Sequence, residues 1–479
     1  MDVVNPPSYS SSVDDQKTAF EEDVPINRGR VLRKLDLYLL PFISALYLLT
    51  FLDRSNVANA RVVGMGADLH LDGLKFNVAA AVFSIPYALA EIPSNIALKL
   101  FKPSRWIPFI MLVWGIIQTL MVLVSSYEGL VTARVFLGLA EAGLFPGVTL
   151  YLSLWYPRSC LAVRISLFFA AGTIAGAFGG ILAYCIEKMD GLGGRHGWQW
   201  IFCLEGLLTV TVAIFSYFYM HDDPDTASFL TAQEREYVVG MLKEETTRNS
   251  RFDKRYIWQA ITDYKTYLQL GIQMGLLIPA QSISLFAPTI INELGYSAAR
   301  AQLLIIPIFV AGCFMTIAVG IMSDRYKIRG PFIVGGCLVS LVGYIVLYTH
   351  KTPAAGYIGA IIGSMGVYPT VPINLVWAGG NASGDLKRAV VIAMVLGIGN
   401  LGGLCAAFIY FDGPKFHVGH GTIMAWLSLS IILSCIAMYD CHRSNKAKEI
   451  ICKRDNIDES RKEEFIEMGD QSPLFRYAI

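Results

Sequence analysis

Six ionisable side chains lie inside long apolar stretches of the chain: Asp53, Arg54, Glu91, Arg134, Glu141 and Glu205. A charge at the centre of a bilayer costs roughly 2.5–3.5 kcal/mol even on the lenient insertion scale, so a chain keeps several only for a pathway, a pairing or an interface position. The residues from Leu37 to Leu52 carry no charge, and Asp53 and Arg54 then stand side by side. On a helix these neighbours point about 100° apart and so serve different partners. Asp53, Asn56 and Asn59 follow helical spacing and make one polar stripe. Arg134 and Glu141 share a helix face but are separated by about 10 Å of rise, too far for a direct pair, which leaves both heads for a shared cavity. The chemistry such groups can do is proton and anion traffic. Arginines attract an anion, and a carboxyl that is neutral when dry and charged when wetted binds and releases a proton. Asp53 and Glu141 are the candidates for the proton, Arg54 and Arg134 for the anion. The bland alternative is a static pair, Asp53–Arg134 or Glu141–Arg54, holding a bundle together. Glu91, between Pro86 and Pro93, is a lesser candidate, and Glu205, nearer a helix end, reads as an interfacial structural residue.

The composition explains why these charges stand out. The chain has 479 residues, 54% hydrophobic and 16% charged, with a mean hydropathy of +0.49. A soluble protein carries about 25% charge, so the deficit points to lipid as the solvent. A net charge of +1 gives no case for nucleic acid. The nine cysteines are scattered without CxxC spacing, which argues against a zinc site and a disulfide framework. About 35 polar residues precede the first apolar run, unlike a cleavable signal peptide.

A spanning helix needs about 20 mostly apolar residues. Candidate spans lie at 36–60, 76–100, 106–126, 128–156, 162–186, 199–221, 264–292, 297–323, 331–349, 353–378, 386–411 and 420–440. The expected organisation is therefore a tail (1–35), six helices (36–221), a polar linker (222–263), six helices (264–441) and a second tail (442–479). Within the linker, "TAQEREYVVGMLKEE" reads as a capped amphipathic helix beginning near Thr231. Both tails are expected to be disordered. Thirty lysines and arginines fall on the side of the amino terminus and seven on the other, with Arg54 and Arg134 inside the membrane. By the positive-inside rule both termini are cytoplasmic. The sequon Asn381-Ala-Ser383 then lies in a cytoplasmic loop and is expected to go unused.

Several motifs are weighed beside the charges. The fifth span reads "AAGTIAGAFGGIL", with small residues four apart that let helices approach closely, for packing or for a gating interface. Pro146 and Gly147 can bend the fourth span beside Glu141. Gly397-Ile-Gly399-Asn-Leu-Gly402 matches a dinucleotide fingerprint but lies inside an apolar helix and follows no strand. The histidines, including His196, His417 and His420, lack paired metal spacing. The chain shows no nucleophile–base or metal constellation, so an enzyme is not expected, and no cofactor beyond the proton as coupling ion.

Two six-helix halves, a central linker and "GIMSDRYKIR" between the eighth and ninth spans resemble the major facilitator superfamily. Within it, "FLDRSNVANARVVGMGADL", "RVFLGLAEAGLFPGVTLYLSLWYPR", "GWQWIFCLEGLLTV" and "NASGDLKRAVVIAMVLGIGNLGG" resemble the fungal allantoate permease branch of the anion:cation symporters. The ending "GDQSPLFRY" is similar to nicotinate and related vitamin permeases of that branch. The resemblance covers nearly the whole chain outside residues 1–30. It implies an all-α membrane fold of two pseudo-symmetric six-helix bundles rocking about a central site. It also implies proton-driven uptake of a small carboxylate. By position it implies proton-binding carboxylates at Asp53 and Glu141 and anion-binding arginines at Arg54 and Arg134. It further implies cavity-lining residues at Trp377 and Asn400, and a gate at Asp324, Arg325 and Arg329. Two departures stand out. The superfamily loop should recur between the second and third spans, but Lys99 occupies the place of its aspartate and Asn95 that of its leading glycine. Ala177 stands where the antiporter glycine motif has proline, which weakens an efflux reading.

The expectation is a plasma-membrane symporter, monomeric, whose partners are a small organic anion, protons and lipid, with no nucleic acid. An efflux antiporter and a nutrient sensor are the alternatives; the short carboxy-terminal tail disfavours the sensor. Tyr87, Tyr151, Phe286 and Trp377 could suit a ring-shaped substrate, and the nicotinate-like guess rests on the resemblance.

Overall fold

The computed structural model describes residues 28–246, 254–410 and 416–479. Among these residues every regular element is helical. The first half comprises α1 (Arg28–Ala60), the short α2 (Gly66–Asp68), α3 (Lys75–Ala81), α4 (Ser84–Phe101), α5 (Pro103–Leu120), α6 (Tyr127–Glu141), α7 (Leu144–Trp155), α8 (Arg158–Glu187) and α9 (Gly197–Tyr219). The linker contributes α10 (Ala232–Thr246) and α11 (Lys254–Thr262). The second half comprises α12 (Tyr264–Glu293), α13 (Ala298–Tyr326), α14 (Gly330–Thr349), α15 (Pro353–Asn381), α16 (Asp385–Asn400), α17 (Gly402–Ile409) and α18 (His417–Arg454).

Eleven runs of helix among the described residues are long and apolar enough to cross a membrane. The span expected at 76–100 is the one outside that set. It is divided into α3 and α4 by a turn at Val82–Phe83, and the span at 128–156 is divided into α6 and α7 by a turn at Ala142–Gly143. The two turns have one cause. Pro86 and Pro146 lack an N–H, and each ring presses on the carbonyl four residues back, at Val82 and Ala142. The second turn is made by Gly143, which takes φ +94°. A Cβ there would also strike the Ser94 side chain. Gly143→Ala is therefore expected to lower the melting temperature of the detergent-solubilised protein, the backbone alone costing about 1–2 kcal/mol; an unchanged melting temperature would contradict this.

The halves meet tightly at one end. Asn77 on α3 donates to the Ala407 carbonyl of α17 at 2.5 Å. Near the same end, α8 and α13 approach so closely that a Cβ on Gly180 would meet the Gln302 backbone carbonyl. Here the small residues of the fifth span serve packing between the halves. At the other end, near the α7–α8 and α15–α16 connections, a groove separates them, lined by Phe145, Thr149, Ile165, Leu375, Gly379 and Ile392 among others.

The linker helix begins as expected. Thr231 and Glu234 cap it reciprocally, the Thr231 N–H donating to Glu234 at 3.0 Å and the Glu234 N–H to the Thr231 hydroxyl at 3.3 Å. Lys34 of α1 pairs with Glu234 and ties α10 to the first half.

Of the amino-terminal tail expected at 1–35, residues 1–27 lie outside the described residues, and residues 28–35 correct the expectation of disorder: they form the first turns of α1, with Val31 and Leu35 buried. The carboxy-terminal tail corrects its expectation of disorder. α18 runs on to Arg454, with Lys453 and Arg454 placed favourably in its last turn. The final residues then fold back as a strap across the end of the second half. Asn445 and Tyr477 exchange two hydrogen bonds, at 2.9 and 2.8 Å, and Asn381 and Ala478 exchange two more, at 3.1 and 2.7 Å. Lys387 joins Asp470 of the strap to Asp263 ahead of α12. The Tyr477 ring is covered by Lys265, 3.5 Å from its centroid, and by Lys448 at 4.3 Å. The strap is ordered because side chains from several distant elements satisfy its backbone, a device that tail composition does not announce. Tyr477→Ala is expected to cost about 3 kcal/mol or more, by comparison with other buried ring truncations. Thermal unfolding would read this as a lower midpoint, and a wild-type midpoint would show the strap to be loosely held.

Candidate functional site

α1 sends its two neighbouring charges to different places, as the helical wheel requires. Arg54 points toward α4 and α6. Its Nε donates to Glu141 Oε1 at 2.6 Å, and its guanidinium lies 4.7 Å from the Tyr87 ring centroid and 5.4 Å from that of Phe83. Glu141, fully buried, is the last residue of α6, directly before the Gly143 turn. Two turns earlier on α6, the Arg134 guanidinium lies 4.8 Å from the other partner of Arg54, the Phe83 ring. Its Nε reaches the Ala79 carbonyl at 3.4 Å. One aromatic ring thus steadies both cations through its electron-rich face. Arg54 has a carboxylate partner; among the described residues no ion pair joins Arg134 to one.

Asp53 faces the opposite way. Its Oδ2 accepts from the Trp114 indole N–H at 2.5 Å, and the side chain is 1% exposed. Of the two static pairs that the sequence left open, Arg54–Glu141 is formed and Asp53–Arg134 is not among the described ion pairs.

Two adjoining cavities lie between the halves. Both are lined by Arg54, Tyr87, Gln281 and Asn400. The first adds Arg134 and Phe83; the second adds an aromatic wall that includes Tyr47, Phe145, Phe169 and Tyr368. Cationic groups from the first half therefore face neutral amides from the second, beside ring surfaces. Sites with few polar groups on apolar walls suit small ligands. The arrangement sets guanidinium donors beside apolar ring faces.

The sequence-derived residues divide. Arg54, Arg134, Glu141 and Asn400 are brought together here, with Asp53 behind them on the other face of α1. Trp377 lies elsewhere: it is wholly buried and its indole N–H donates to the Ala478 carbonyl of the strap at 2.9 Å. Asp324, Arg325 and Arg329 lie at the α13–α14 connection. Arg329 pairs with Asp324 at 2.5 Å, its guanidinium donates to the Ser323 hydroxyl at 2.8 Å and its N–H to the Ile479 carbonyl at 2.7 Å. Arg325 is exposed. Of the aromatic candidates, Tyr87 lines the cavity, whereas Phe286 packs on Phe76 and Tyr410, and Tyr151 on Trp155. Phe83, Trp114 and Gln281 were missed. A glutamine in the apolar run "LLIPAQSISLF" was the available signal for the last.

Comparison with known proteins gives a family match, to the Major Facilitator Superfamily, over residues 43–438. An uncharacterized transporter of Schizosaccharomyces pombe, C1002.16c, is 34% identical over 94% of this chain and 91% of its own length. The high-affinity nicotinic acid transporter of Saccharomyces cerevisiae is 30% identical over 94% of this chain and 84% of its own length. Among solved structures, a bacterial homolog of the human lysosomal transporter Spinster, inward-facing and unoccupied, superposes with a TM-score of 0.62 at 16% identity. It covers 84% of this chain and 96% of its own.

Proposed function

The chain belongs to the major facilitator superfamily, and from that premise we propose that it is a proton-coupled importer of a small organic anion, a planar carboxylate of the nicotinate kind. That it is a multi-pass membrane transporter rather than an enzyme follows from the family and its named relatives. The observation that carries the finer reading is the pair of arginines on one phenyl ring, Arg54 with an acidic partner and Arg134 without one, at a cavity walled by aromatic rings.

The cycle follows from these contacts. Protonation of Glu141 removes the charge that engages Arg54, and the guanidinium turns to the substrate carboxylate beside Arg134. Gln281 and Asn400 bring the second half onto the bound anion, and the halves rock about it. Release of the proton on the other side restores the Arg54–Glu141 pair, which competes with the carboxylate and expels it. One proton per monoanion makes the step electroneutral. Each further proton would draw about 2.3 kcal/mol per 100 mV from the membrane potential. Asp324 and Arg329 hold the α13–α14 connection and so brace the gate of the second half. The proposed setting is the plasma membrane, with both termini in the cytoplasm and the open groove facing inward. The proposed partners are the anion, protons and lipid, around a monomer.

The test is an uptake panel of labelled carboxylate vitamins and ureides, at acidic and neutral pH, in cells lacking their own permeases. The expected result is acid-stimulated entry of a planar carboxylate. Efflux on external acidification would overturn the reading in favour of antiport.

A further inference from the structure

The face of α1 turned away from the arginines carries buried polar groups that the anion site does not use. Asp53 and Asn56 on α1, Trp114 and Gln118 on α5, and Glu205 and Thr209 on α9 form three pairs at helical spacing, so each helix presents its pair on one face. All six are 3% exposed or less. Trp114 donates to Asp53 at 2.5 Å and Asn56 donates to Glu205 Oε2 at 2.6 Å, which joins the three helices into one seam. The remaining oxygens, Asp53 Oδ1 and Glu205 Oε1, have no hydrogen-bond partner among the described residues, and neither have the Gln118 amide and the Thr209 hydroxyl.

The electrostatics of this seam are lopsided. Its donors are neutral, an indole and an amide. The charged groups around Asp53 are Glu205, Glu141 and Arg134, and Glu141 is engaged by Arg54. Glu205 is held by Asn56 alone, and none of the described ion pairs includes it. A buried carboxylate without a cationic partner costs several kcal/mol if charged, and a second one nearby adds repulsion. The unpartnered oxygens, Asp53 Oδ1 and Glu205 Oε1, each offer a place for a proton.

We propose that Glu205 is a second proton-holding residue, which with Asp53 carries a coupling proton in the α1–α5–α9 seam, apart from the Arg54–Glu141 pair. The proton enters from water on one side and returns to water on the other; only O–H bonds form and break. Asp53 is the residue next to Arg54, so a change of charge in the seam acts on the helix that holds the anion-binding guanidinium. This rests on the importer reading, and the test separates the two.

Infrared difference spectra of the purified wild type and Glu205→Gln at neutral pH read the seam without any transport. The expected result is a protonated-carboxyl band that Glu205→Gln or Asp53→Asn removes or shifts and that Glu205→Asp retains. Spectra with no such band overturn the inference, whatever the protein carries. In proteoliposomes with labelled nicotinate, Glu205→Gln is expected to accumulate less nicotinate at a given gradient than the wild type and to show a shifted pH profile, with nicotinate exchange at equal pH surviving in part. Wild-type accumulation and pH profile in Glu205→Gln, beside a failing Glu141→Gln, would overturn Glu205 and leave the importer standing. A wild type that moves neither nicotinate nor any other carboxylate of the uptake panel with the gradient would overturn the importer reading, and the infrared band then decides on Glu205.

Discussion

Arg134→Ala is expected to abolish useful binding of the anion. With nicotinate as the probe and purified protein in a calorimeter, the Kd should rise about 30- to 5,000-fold, the equivalent of the about 2–5 kcal/mol lost when one partner of a buried charge pair is removed. The argument turns on how each arginine is occupied. Arg54 is held by Glu141 at 2.6 Å, whereas Arg134 has a phenyl ring and one backbone carbonyl. On the proposed reading Arg134 is thus the cation that receives the incoming carboxylate. Arg134→Lys should recover only part of the loss, because an ammonium is a point charge and cannot offer the guanidinium's two parallel donors. An Arg134→Ala protein with wild-type affinity would refute the assignment.

Glu141→Gln should remove the response to pH and leave a carrier behind. In the proposed cycle, protonating Glu141 releases Arg54, so anion affinity is expected to rise as pH falls and to decline again as the carboxylate reforms. Glutamine has nearly the same shape but no exchangeable charge, so Arg54 is released at every pH. Affinity should then be flat across the acidic-to-neutral range, pH-driven uptake should disappear, and substrate exchange should survive in part. A mutant that kept the wild-type pH dependence would remove Glu141 from the proton path.

The sequence made the architecture legible because bilayer thickness and charge placement act on composition alone. It also made the division between Asp53 and Arg54 legible, since adjacent helical residues cannot share a partner; the structure sends one to Trp114 and the other to Glu141. The choice of partner was not legible. The seven-residue gap between Arg134 and Glu141 says that they do not pair, but not that Glu141 reaches α1. That reach depends on the turns at Val82–Phe83 and Ala142–Gly143, which fix the packing of α4 and α6. Prolines signal that a helix is disturbed, not where its side chains go. Trp377 shows the other limit. An indole in an apolar helix suits a cavity wall, and only the folded strap explains why its N–H serves Ala478 instead. Glu205 reads as an interfacial residue because its distance from a helix end is visible in the sequence, while the Asn56 amide that reaches it from α1 is not.

The central claim is that proton movement drives the anion inward. The most direct measurement uses purified protein in liposomes, loaded at neutral pH, with labelled nicotinate outside and the outer medium acidified. The account predicts transient accumulation of nicotinate above its external concentration, with alkalinisation of the outer medium in step, both abolished by a protonophore. Nicotinate that only equilibrates, at the same rate with and without the gradient, would contradict it.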